Sequence, residues 1–153
     1  MLHYEDGKLY WKTKQSRKTV IGAEAGTLRK TDGYRQIMIY RKVYRTHRLL
    51  YLYHHGYMPV IVDHKDNNPF NNHIENLRPA TTSENACNVG FRPDNTSGAK
   101  GVTWDKSKNK WMVRVYANGR CLNLGRFKDF ELADLVATEA RVKYHKEFAN
   151  HGA

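Results

Sequence analysis

The sequence predicts an α+β protein, and two patterns lead to that expectation. Short runs of strand-forming residues alternate with turn dipeptides such as Asp6-Gly7 and Asp32-Gly33, which favour hairpins. Near the C-terminus, three such runs precede a longer amphipathic stretch, so we expect a three-stranded antiparallel sheet packed on one helix. The 153 residues, 40% of them hydrophobic, suffice for one ordinary domain or two small ones.

The first third of the chain combines short strands with a concentration of positive charge. The two turn dipeptides separate LHY from KLYW and TLRK from YRQIMIY. Between residues 12 and 48, eleven Lys or Arg stand against two acids, and the whole chain has a formal charge of +11. A polyanion is therefore the first partner to consider, and a generally solvated basic surface is the alternative.

The middle of the chain reads as helix, strand, polar loop, strand and helix. HRLLYLYHHG, residues 47–56, suits a short amphipathic helix that stops at Gly56. VIVDH is a short strand, DNNPFNNHIE is an asparagine-rich loop and NLRPAT returns as extended chain. Thr81, with Glu84 three residues later, forms a capping-box pattern and predicts a helix that carries Asn85 just past its first turn.

The last third begins after VGFRPDNTSG, residues 89–98, which has the composition of a linker. KGVTW, KWMVRVY and RCLNLGRF are predicted strands, and Asn118-Gly119 is a hairpin signal between the last two. Asp129 is the expected N-cap of the helix that follows. A stripe of apolar residues four apart is expected to be its buried face: Leu132, Val136, Ala140, Tyr144 and Phe148.

Charge separates the sheet of this last third from its helix. Residues 98–127 hold seven Lys or Arg and one acid, whereas residues 128–153 hold four against five. A helix that covers one face of a three-stranded sheet leaves the other face open. The open face is therefore expected to be basic, and an exposed polar face without a partner is the alternative.

Neither membrane insertion nor cysteine chemistry is indicated. The chain has no run near the roughly 18 apolar residues of a membrane span, and its N-terminus lacks the apolar core of a secretion signal. Cys87 and Cys121 lie far apart, and neither belongs to a CxxC pair, so no disulfide framework and no cysteine-based zinc site are expected. We expect a cytoplasmic protein.

The polar loop near residue 63 has the residue types of a hydrolytic metal site. Asp63 and His64 are adjacent on a predicted strand, so their side chains point to opposite sides. Asn76 starts the returning strand, and the order strand, loop, strand, helix is expected to bring Asn85 near the Asp-His pair. Carboxylate and amide oxygens suit Mg²⁺, and a neutral imidazole beside such an ion can take a proton from water that attacks phosphorus.

These residues resemble the HNH endonucleases, which have the ββα-metal (His-Me finger) fold. The resemblance covers roughly residues 33–90, through HRLLYLYHHGYMP, VDHKDNNPFNNHIENLRPAT and SENACN. It is closest to the phage and intron-encoded homing branch, in which an asparagine follows the histidine by twelve residues and another follows nine later. His64, Asn76 and Asn85 stand at those spacings.

The resemblance implies a role for each of these residues. Asp63 and Asn85 would hold a divalent metal, His64 would be the general base, and Asn76 would brace the loop so that His64 is correctly aimed. Because the third position of the motif is asparagine, Mg²⁺ or Mn²⁺ is expected and zinc is not.

Other polar residues near the motif are expected to have supporting roles. His47 is as suited to a structural or phosphate-contacting role as to a catalytic one. Asp66 is a candidate to hydrogen-bond the residues of the site without contacting the metal or the substrate itself. The remaining histidines of this region, His54, His55 and His73, are expected on the surface or in the core. The loop amides Asn68, Asn71 and Asn72 are expected to satisfy loop backbone.

The C-terminal third resembles the DNA-binding domain of the plant apetala and ethylene-response-factor proteins, over about residues 96–150. Its recurring pieces stand here as Gly101-Val102, Lys110-Trp111, Leu124-Gly125 and an alanine-bearing helix. In that family the open sheet face enters the DNA major groove. The positions that the resemblance places against DNA, as base or phosphate contacts, are Lys100, Thr103, Lys106, Lys110, Arg114, Tyr116, Arg120, Asn123 and Arg126.

Strand alternation predicts the two faces of this sheet. Trp111, Val113 and Val115 are expected to pack on the helix, while Arg114 and Tyr116 face outward with Met112. Trp104, like Trp111, is expected in the core. The plant domains carry more arginine on their first strand than KGVTWDK does, so their base preference does not transfer.

Together these patterns predict a two-part DNA endonuclease. Residues 1–90 would form an HNH nuclease domain with basic N-terminal strands, residues 91–97 a linker and residues 98–153 the DNA-binding domain. The expected substrate is double-stranded DNA, bound by a monomer or a DNA-assembled dimer in a bacterial or phage-infected cell. A phage-type homing endonuclease is the favoured function, and the alternatives are a low-specificity phage nuclease and a non-catalytic DNA-binding protein with a decayed nuclease fold.

Overall fold

The computed structural model describes residues 1–152, and all of its sheets are small and antiparallel. This confirms the α+β class. By its internal contacts the chain divides into two compact units, residues 1–80 and residues 81–153. The predicted division at a linker over residues 91–97 stays a prediction.

The first unit contains three antiparallel sheets and one helix. Strands β1 (Leu2–Glu5) and β2 (Lys8–Trp11) form a hairpin. Strands β3 (Thr27–Leu28), β4 (Arg35–Ile39) and β5 (Lys42–Arg45) form a three-stranded sheet with β4 in the centre. Helix α1 (Thr46–His55) follows, and β6 (Ile61–His64) pairs with β7 (Leu77–Ala80).

Helix α1 is the centre of this unit because it contacts strands of all three sheets. Leu50 and Tyr51 on its inner face are buried with Ile37 of β4 and Val62 of β6. The helix ends as predicted at Gly56, whose φ of 74° is left-handed and whose N–H donates to Leu52 O at 2.9 Å. A left-handed glycine of this kind satisfies a carbonyl that the last turn of the helix would otherwise leave unpaired.

The second unit begins with helix α2 (Thr82–Cys87) and continues as a sheet covered by one long helix. The predicted capping box is present: the Thr81 hydroxyl accepts from the Glu84 N–H, and the Glu84 carboxylate accepts from the Thr81 N–H. Strands β8 (Val102–Asp105), β9 (Lys110–Ala117) and β10 (Arg120–Phe127) lie in the order β10-β9-β8. Helix α3 (Phe130–His145) packs on β9, and its N-cap is Asp129 as predicted.

The predicted buried face of α3 is only partly correct. Ala140 and Phe148 are buried and Val136 packs against the core as expected, whereas Leu132 and Tyr144 are 47% and 39% exposed. Ala133, Ala137 and Arg141 are buried in addition. A stripe at intervals of four drifts around a helix that has 3.6 residues per turn, so apolar spacing alone left the orientation open. Small alanines let the helix approach the sheet closely, and Ala133 and Ala137 pack with Val102 and Val113.

The two faces of the sheet follow the predicted alternation, with one exception. Val113 and Val115 are buried, and Arg114 and Tyr116 are exposed. Trp104, expected in the core, is 44% exposed; it lies on the edge strand β8, and its ring centroid is 4.9 Å from that of Trp111.

No helix within residues 1–152 is both long and apolar enough to span a membrane.

Gly26, next to β3, supplies a test of the packing of the first unit. Its φ is 89°, and a Cβ added there would lie 2.4 Å from Gln36 O. We expect Gly26→Ala to lower the free energy of unfolding by about 3 kcal/mol. An alanine in the left-handed backbone conformation costs about 1–2 kcal/mol, and the clash of its Cβ with the Gln36 carbonyl adds to that cost. Urea denaturation followed by circular dichroism measures the change.

The matched control is Gly22→Ala. Gly22 has a similar φ of 81° but open space around its Cα, so only the conformational cost of about 1 kcal/mol is expected. Equal losses for the two variants would show that the close approach of Gly26 to β4 does not constrain the fold.

Candidate active site

The candidate site is built on the antiparallel hairpin of β6 and β7. In its register Asp63 lies opposite Arg78, and His64 lies opposite Leu77. Asp63 is 5% exposed and His64 is 4% exposed. The two adjacent side chains are thus both removed from water although strand geometry sends them to opposite faces.

Asp63 forms a buried ion pair with Arg78. The Arg78 Nε donates to Asp63 Oδ2 at 2.8 Å, and both side chains are less than a tenth exposed. A buried carboxylate of this kind is retained only when it is paired. The arginine therefore fixes the orientation of the aspartate, and one carboxylate oxygen is committed to it.

His64 is held by a side chain of the loop between the two strands. Its Nε2 lies 2.9 Å from Asn72 Oδ1. Burial lowers the pKa of His64, while the bond to Asn72 and the charges of Asp66 and Asp63 oppose that shift without reversing it. The imidazole is consequently neutral at pH 7, which is the form that can accept a proton.

A second histidine lies against His64. The His47 ring, at the start of α1, meets the His64 ring edge-on with centroids 4.9 Å apart, and Tyr34 lies 5.1 Å from His47 and 5.7 Å from His64. Burial, and then the electrostatic interactions with His64, Arg45 and Arg48, lower the pKa of His47 to about 3. His47 is therefore also neutral, and its buried Nδ1 has no hydrogen-bond partner in the described part of the chain.

The loop over residues 65–76 is organised around Asp66. One carboxylate oxygen accepts from the Asn68 N–H at 2.8 Å and the Asn76 amide at 2.9 Å, and the other accepts from the Asn71 amide at 2.7 Å. Burial raises the pKa of Asp66, but these three hydrogen bonds and the electrostatic interaction with His64 together outweigh it, so the net shift of the pKa is downward. Asp66, expected only to support the site, is the centre of its loop.

Asn76 closes the loop at its base. Its backbone carbonyl accepts from the Lys65 N–H at 2.9 Å, its Oδ1 accepts from the Asp66 N–H at 3.1 Å, and its Nδ2 donates to Asn71 O at 2.7 Å. The residue thus joins the first and last parts of the loop. It lies at the end of a short 3₁₀ turn, Ile74–Asn76, immediately before β7.

The loop amides do not share one role. Asn68 satisfies backbone as expected, because its Oδ1 accepts from the Phe70 N–H at 3.0 Å. The same expectation is wrong for Asn71, which donates to Asp66, and for Asn72, which contacts His64. These side chains contact residues four or more positions away, and no local pattern in the sequence distinguishes them from Asn68.

The predicted metal ligands fall in different compact units. Asp63 lies in the first unit, and Asn85 lies on α2 in the second. Residues 1–152 contain no group of three or more His, Cys, Asp or Glu side chains that could hold a metal ion. Two-ligand coordination by Asp63 and Asn85 therefore stays a prediction.

The predicted DNA-contact residues of the second unit divide into two groups. Seven have side chains on or near the sheet that are not held by internal ion pairs: Thr103, Lys106, Lys110, Arg114, Tyr116, Arg120 and Asn123. Lys100 and Arg126 are committed within the unit. The Lys100 ammonium donates to the carbonyls of Cys87 and Val89, and Arg126 Nε donates to Asp105 at 2.7 Å.

The interactions of Lys100 are those of a structural residue. Burial lowers its pKa, the nearby Arg141 lowers it further, and Cys87 opposes the shift. Its backbone carbonyl accepts from the buried Arg141 guanidinium. Predicted DNA contacts by Lys100 and Arg126 would have to break these bonds, so the internal role is the better account of both residues.

Comparison with known proteins identifies the segment that carries the hairpin. Residues 44–87 match the HNH endonuclease family. Protein 3.8 of Escherichia phage T7 is 38% identical over 90 residues, which are 58% of this chain and 72% of that protein. No solved structure matches.

The buried His47 makes stability depend on pH. Its pKa of about 3 lies below the ordinary value of 6.5, so between those values the unfolded chain binds a proton that the folded chain does not, and stability falls as pH falls. We expect this residue alone to remove about 2 kcal/mol of unfolding free energy between pH 7 and pH 5.

Urea denaturation of the His47→Gln variant at the two pH values measures this contribution. The variant should lose about 2 kcal/mol less than the parent over that interval, while His3→Gln, at an exposed position, should behave like the parent. Equal pH dependence in His47→Gln and the parent would contradict the burial of a neutral imidazole.

Proposed function

Because the chain belongs to the family of phage T7 protein 3.8 and carries an HNH endonuclease domain, we propose that it is a divalent-metal-dependent endonuclease that hydrolyses phosphodiester bonds in duplex DNA. The observation that carries the proposal is His64, a buried and neutral imidazole anchored by Asn72 at the end of β6. A histidine in this state is suited to act as a general base at neutral pH.

His64 is the proposed base of the reaction. It takes a proton from the water whose oxygen attacks phosphorus, and the phosphodiester bond breaks to leave 5′-phosphate and 3′-hydroxyl ends. The lowered pKa of His64 supports this role, because an imidazole that stayed protonated at pH 7 could not accept the proton.

Asp63 and Asn85 are the proposed ligands of Mg²⁺ or Mn²⁺. A carboxylate and an amide oxygen are hard donors that fit such an ion. When bound, the ion would supply electrostatic stabilisation of the scissile phosphate and of the departing oxygen. Arg78 has the further effect of holding the carboxylate in one orientation.

Asn76 is the proposed brace of the site. Its four bonds to Lys65, Asp66 and Asn71 tie the base of the loop to the first residues after His64. Loss of these bonds would free the loop that carries the histidine's partner, so Asn76 acts on catalysis through position.

We propose that the second unit docks on duplex DNA through its exposed sheet face. Support comes from the exposed Arg114 and Tyr116 on β9 and from the surrounding lysines and arginines. The matched family segment ends at residue 87, so the assignment of this unit to the apetala type rests on its sequence resemblance. The proposed contacts are Thr103, Lys106, Lys110, Arg114, Tyr116, Arg120 and Asn123.

The proposed biological role is site-specific cutting by a phage-type homing endonuclease in an infected cell. A pool of random-sequence duplexes, incubated with Mg²⁺ and sequenced strand by strand, tests it. Breaks concentrated at related sequences support homing, evenly scattered breaks indicate a low-specificity phage nuclease, and a complete lack of breaks would overturn the nuclease assignment. The same reads tell nicking from double-strand cutting, and palindromic sites would indicate a DNA-assembled dimer.

His64→Ala should reduce Mg²⁺-dependent cleavage by roughly 10²–10⁴-fold, because the base acts in the chemical step. DNA affinity should be largely retained. Single-turnover cleavage and a binding isotherm on the same duplex measure the two effects, and His3→Ala, at an exposed position, is the control. Undiminished cutting by His64→Ala would refute the role of the histidine.

Arg114→Ala should raise the DNA dissociation constant about tenfold at moderate salt, because one charged contact to the duplex is lost. The single-turnover rate at saturating enzyme should be unchanged. Fluorescence anisotropy over a series of salt concentrations measures binding, and Lys143→Ala on the opposite helix α3 removes the same charge as a control. Equal affinities for the Arg114 variant and the parent would exclude the sheet as the docking face.

A further inference from the structure

The second unit contains a cavity beside the inner half of strand β9. Its volume is about 810 Å³, which lies within the range of small-molecule pockets. All of its lining residues fall between residues 83 and 145, so the cavity belongs to the second unit alone. Its apolar walls are formed by Ala86, Val89, Val102, Val115 and Ala117.

The charged groups of this cavity are almost all positive. Lys100 and Arg141 line it, and Arg92 and Arg114 lie at its exposed margin. Among the described lining residues the one acid is Asp94, whose side chain is 78% exposed and lies 3.5 Å from that of Arg92. The two inner cations therefore have no carboxylate in the lining to balance them.

Arg141 is a buried guanidinium that only neutral groups hold. It is 2% exposed, and it donates to Lys100 O, to Thr138 Oγ1 at 2.8 Å and to His151 Nδ1 at 3.4 Å. Within residues 1–152 it forms no ion pair with a carboxylate, although the charge of Asp134 partly opposes the lowering of its pKa by burial. Because an unbalanced buried charge is costly, an anion beside Arg141 would be stabilising.

Lys100 places a second positive charge at the same wall. Its ammonium donates to Cys87 O and Val89 O, and an ammonium has three hydrogens. A ligand can therefore receive the third hydrogen without the loss of either bond. Burial lowers the pKa of Lys100 and the charge of Arg141 lowers it further, so the two cations repel each other and an anion near both would relieve the repulsion.

His145 adds a hydrogen-bond acceptor to the cavity. Its Nε2 lies 2.7 Å from Tyr116 O, and since a carbonyl oxygen only accepts, Nε2 carries the hydrogen and Nδ1 has the lone pair. Burial lowers the pKa of His145 and the bond to Tyr116 only partly opposes that shift, so the ring is neutral at pH 7. Its Nδ1 is buried and has no hydrogen-bond partner in the described part of the chain.

We propose that this cavity binds a small organic phosphate of the nucleotide class. The phosphate would lie against Lys100 and Arg141, the base against the apolar walls, and a hydroxyl or N–H of the ligand would donate to His145 Nδ1. Phosphate forms strong charge-assisted hydrogen bonds with both types of cation. A free mononucleotide and the 5′-phosphorylated end of a DNA strand both offer this chemistry, and binding at the cavity does not depend on the proposed cutting.

Calorimetric titration of the full chain in EDTA tests the ligand class. The probes are adenosine 5′-monophosphate (AMP), adenosine and inorganic phosphate. We expect saturable binding of AMP and at least about tenfold weaker binding of the other two, because each lacks one part of the ligand. Failure of AMP to bind would overturn the inference. Adenosine that binds as tightly as AMP would overturn the role of the cations, and phosphate that does so would overturn the role of the apolar walls.

Two variants test the place of binding. Lys100→Met removes a charge and keeps the side-chain stem, and Ala86→Leu adds bulk to the wall at an exposed helical position that tolerates leucine. Each should weaken AMP binding by about tenfold or more. The control Lys128→Met removes an exposed charge outside the lining and should bind AMP like the parent. Circular dichroism identifies the folded variants, and unchanged AMP affinity in either folded variant would overturn the inference.

Nuclear magnetic resonance of the parent chain locates the ligand without any substitution. AMP should shift the backbone amide signals of Gly101, Ala117 and His145, and shifts confined to residues outside the lining would overturn the inference. Titration with a trinucleotide that carries a 5′-phosphate, and with its 5′-hydroxyl form, separates the two sources. Affinity equal to that of AMP for the phosphorylated form alone assigns the cavity to strand ends, and weak binding of both forms assigns it to free nucleotides. A parent chain that binds AMP but does not cut DNA would overturn the proposed function alone.

Discussion

The buried pairing of Asp63 with Arg78 across the β6–β7 hairpin is the constraint on which the candidate site depends. A slip of the strand register by one residue would turn the side chains of the shifted strand to the other face of the hairpin. Asp63 and Arg78 would then lie on opposite faces, and the buried carboxylate would lose this partner. Removing one partner of such a pair typically costs about 3–5 kcal/mol. The same register places His64 opposite Leu77, so Asn76 must close the loop beside Lys65.

The local elements of the fold could be predicted because their causes lie close together in sequence. The Thr81 capping box, the Asp129 N-cap and the Gly56 stop each involve residues three or four positions apart. The buried face of α3 could not be predicted in the same way, because the choice between Leu132 and Ala133 depends on how closely the helix approaches a sheet formed by distant residues. The exposure of Trp104 could not be predicted either, because it depends on the position of β8 at the edge of the sheet, which residues distant in sequence determine.

In the candidate site, too, the residues indicated by their spacing in the sequence differ from those that meet only in the folded chain. Asp63, His64 and Asn76 were indicated by their types and intervals, and their bonds lie within one hairpin and its loop. His47 and Tyr34 reach His64 from α1 and from the segment before β4, at sequence separations of 17 and 30 residues. The sequence indicated His47 as a residue near the motif but did not place its ring against His64, and it gave no signal for Tyr34. The burial of two adjacent imidazoles also lowers both pKa values, so the environment that keeps His64 ready to accept a proton costs stability in acid.

The formal charge of +11 overstates the positive charge that is available to a polyanion. Both acids of the cation-rich segment 12–48 are paired, Glu24 with Arg35 at 2.9 Å and Asp32 with Arg45 at 3.2 Å. Further cations are engaged inside the two units, among them Arg78, Lys100, Arg126 and Arg141. Because counterion release counts only the cations that reach phosphate, the salt dependence of DNA binding should reflect the exposed lysines and arginines and not the total. The engaged cations hold parts of the two compact units together, and the exposed cations are the ones left to meet a polyanion.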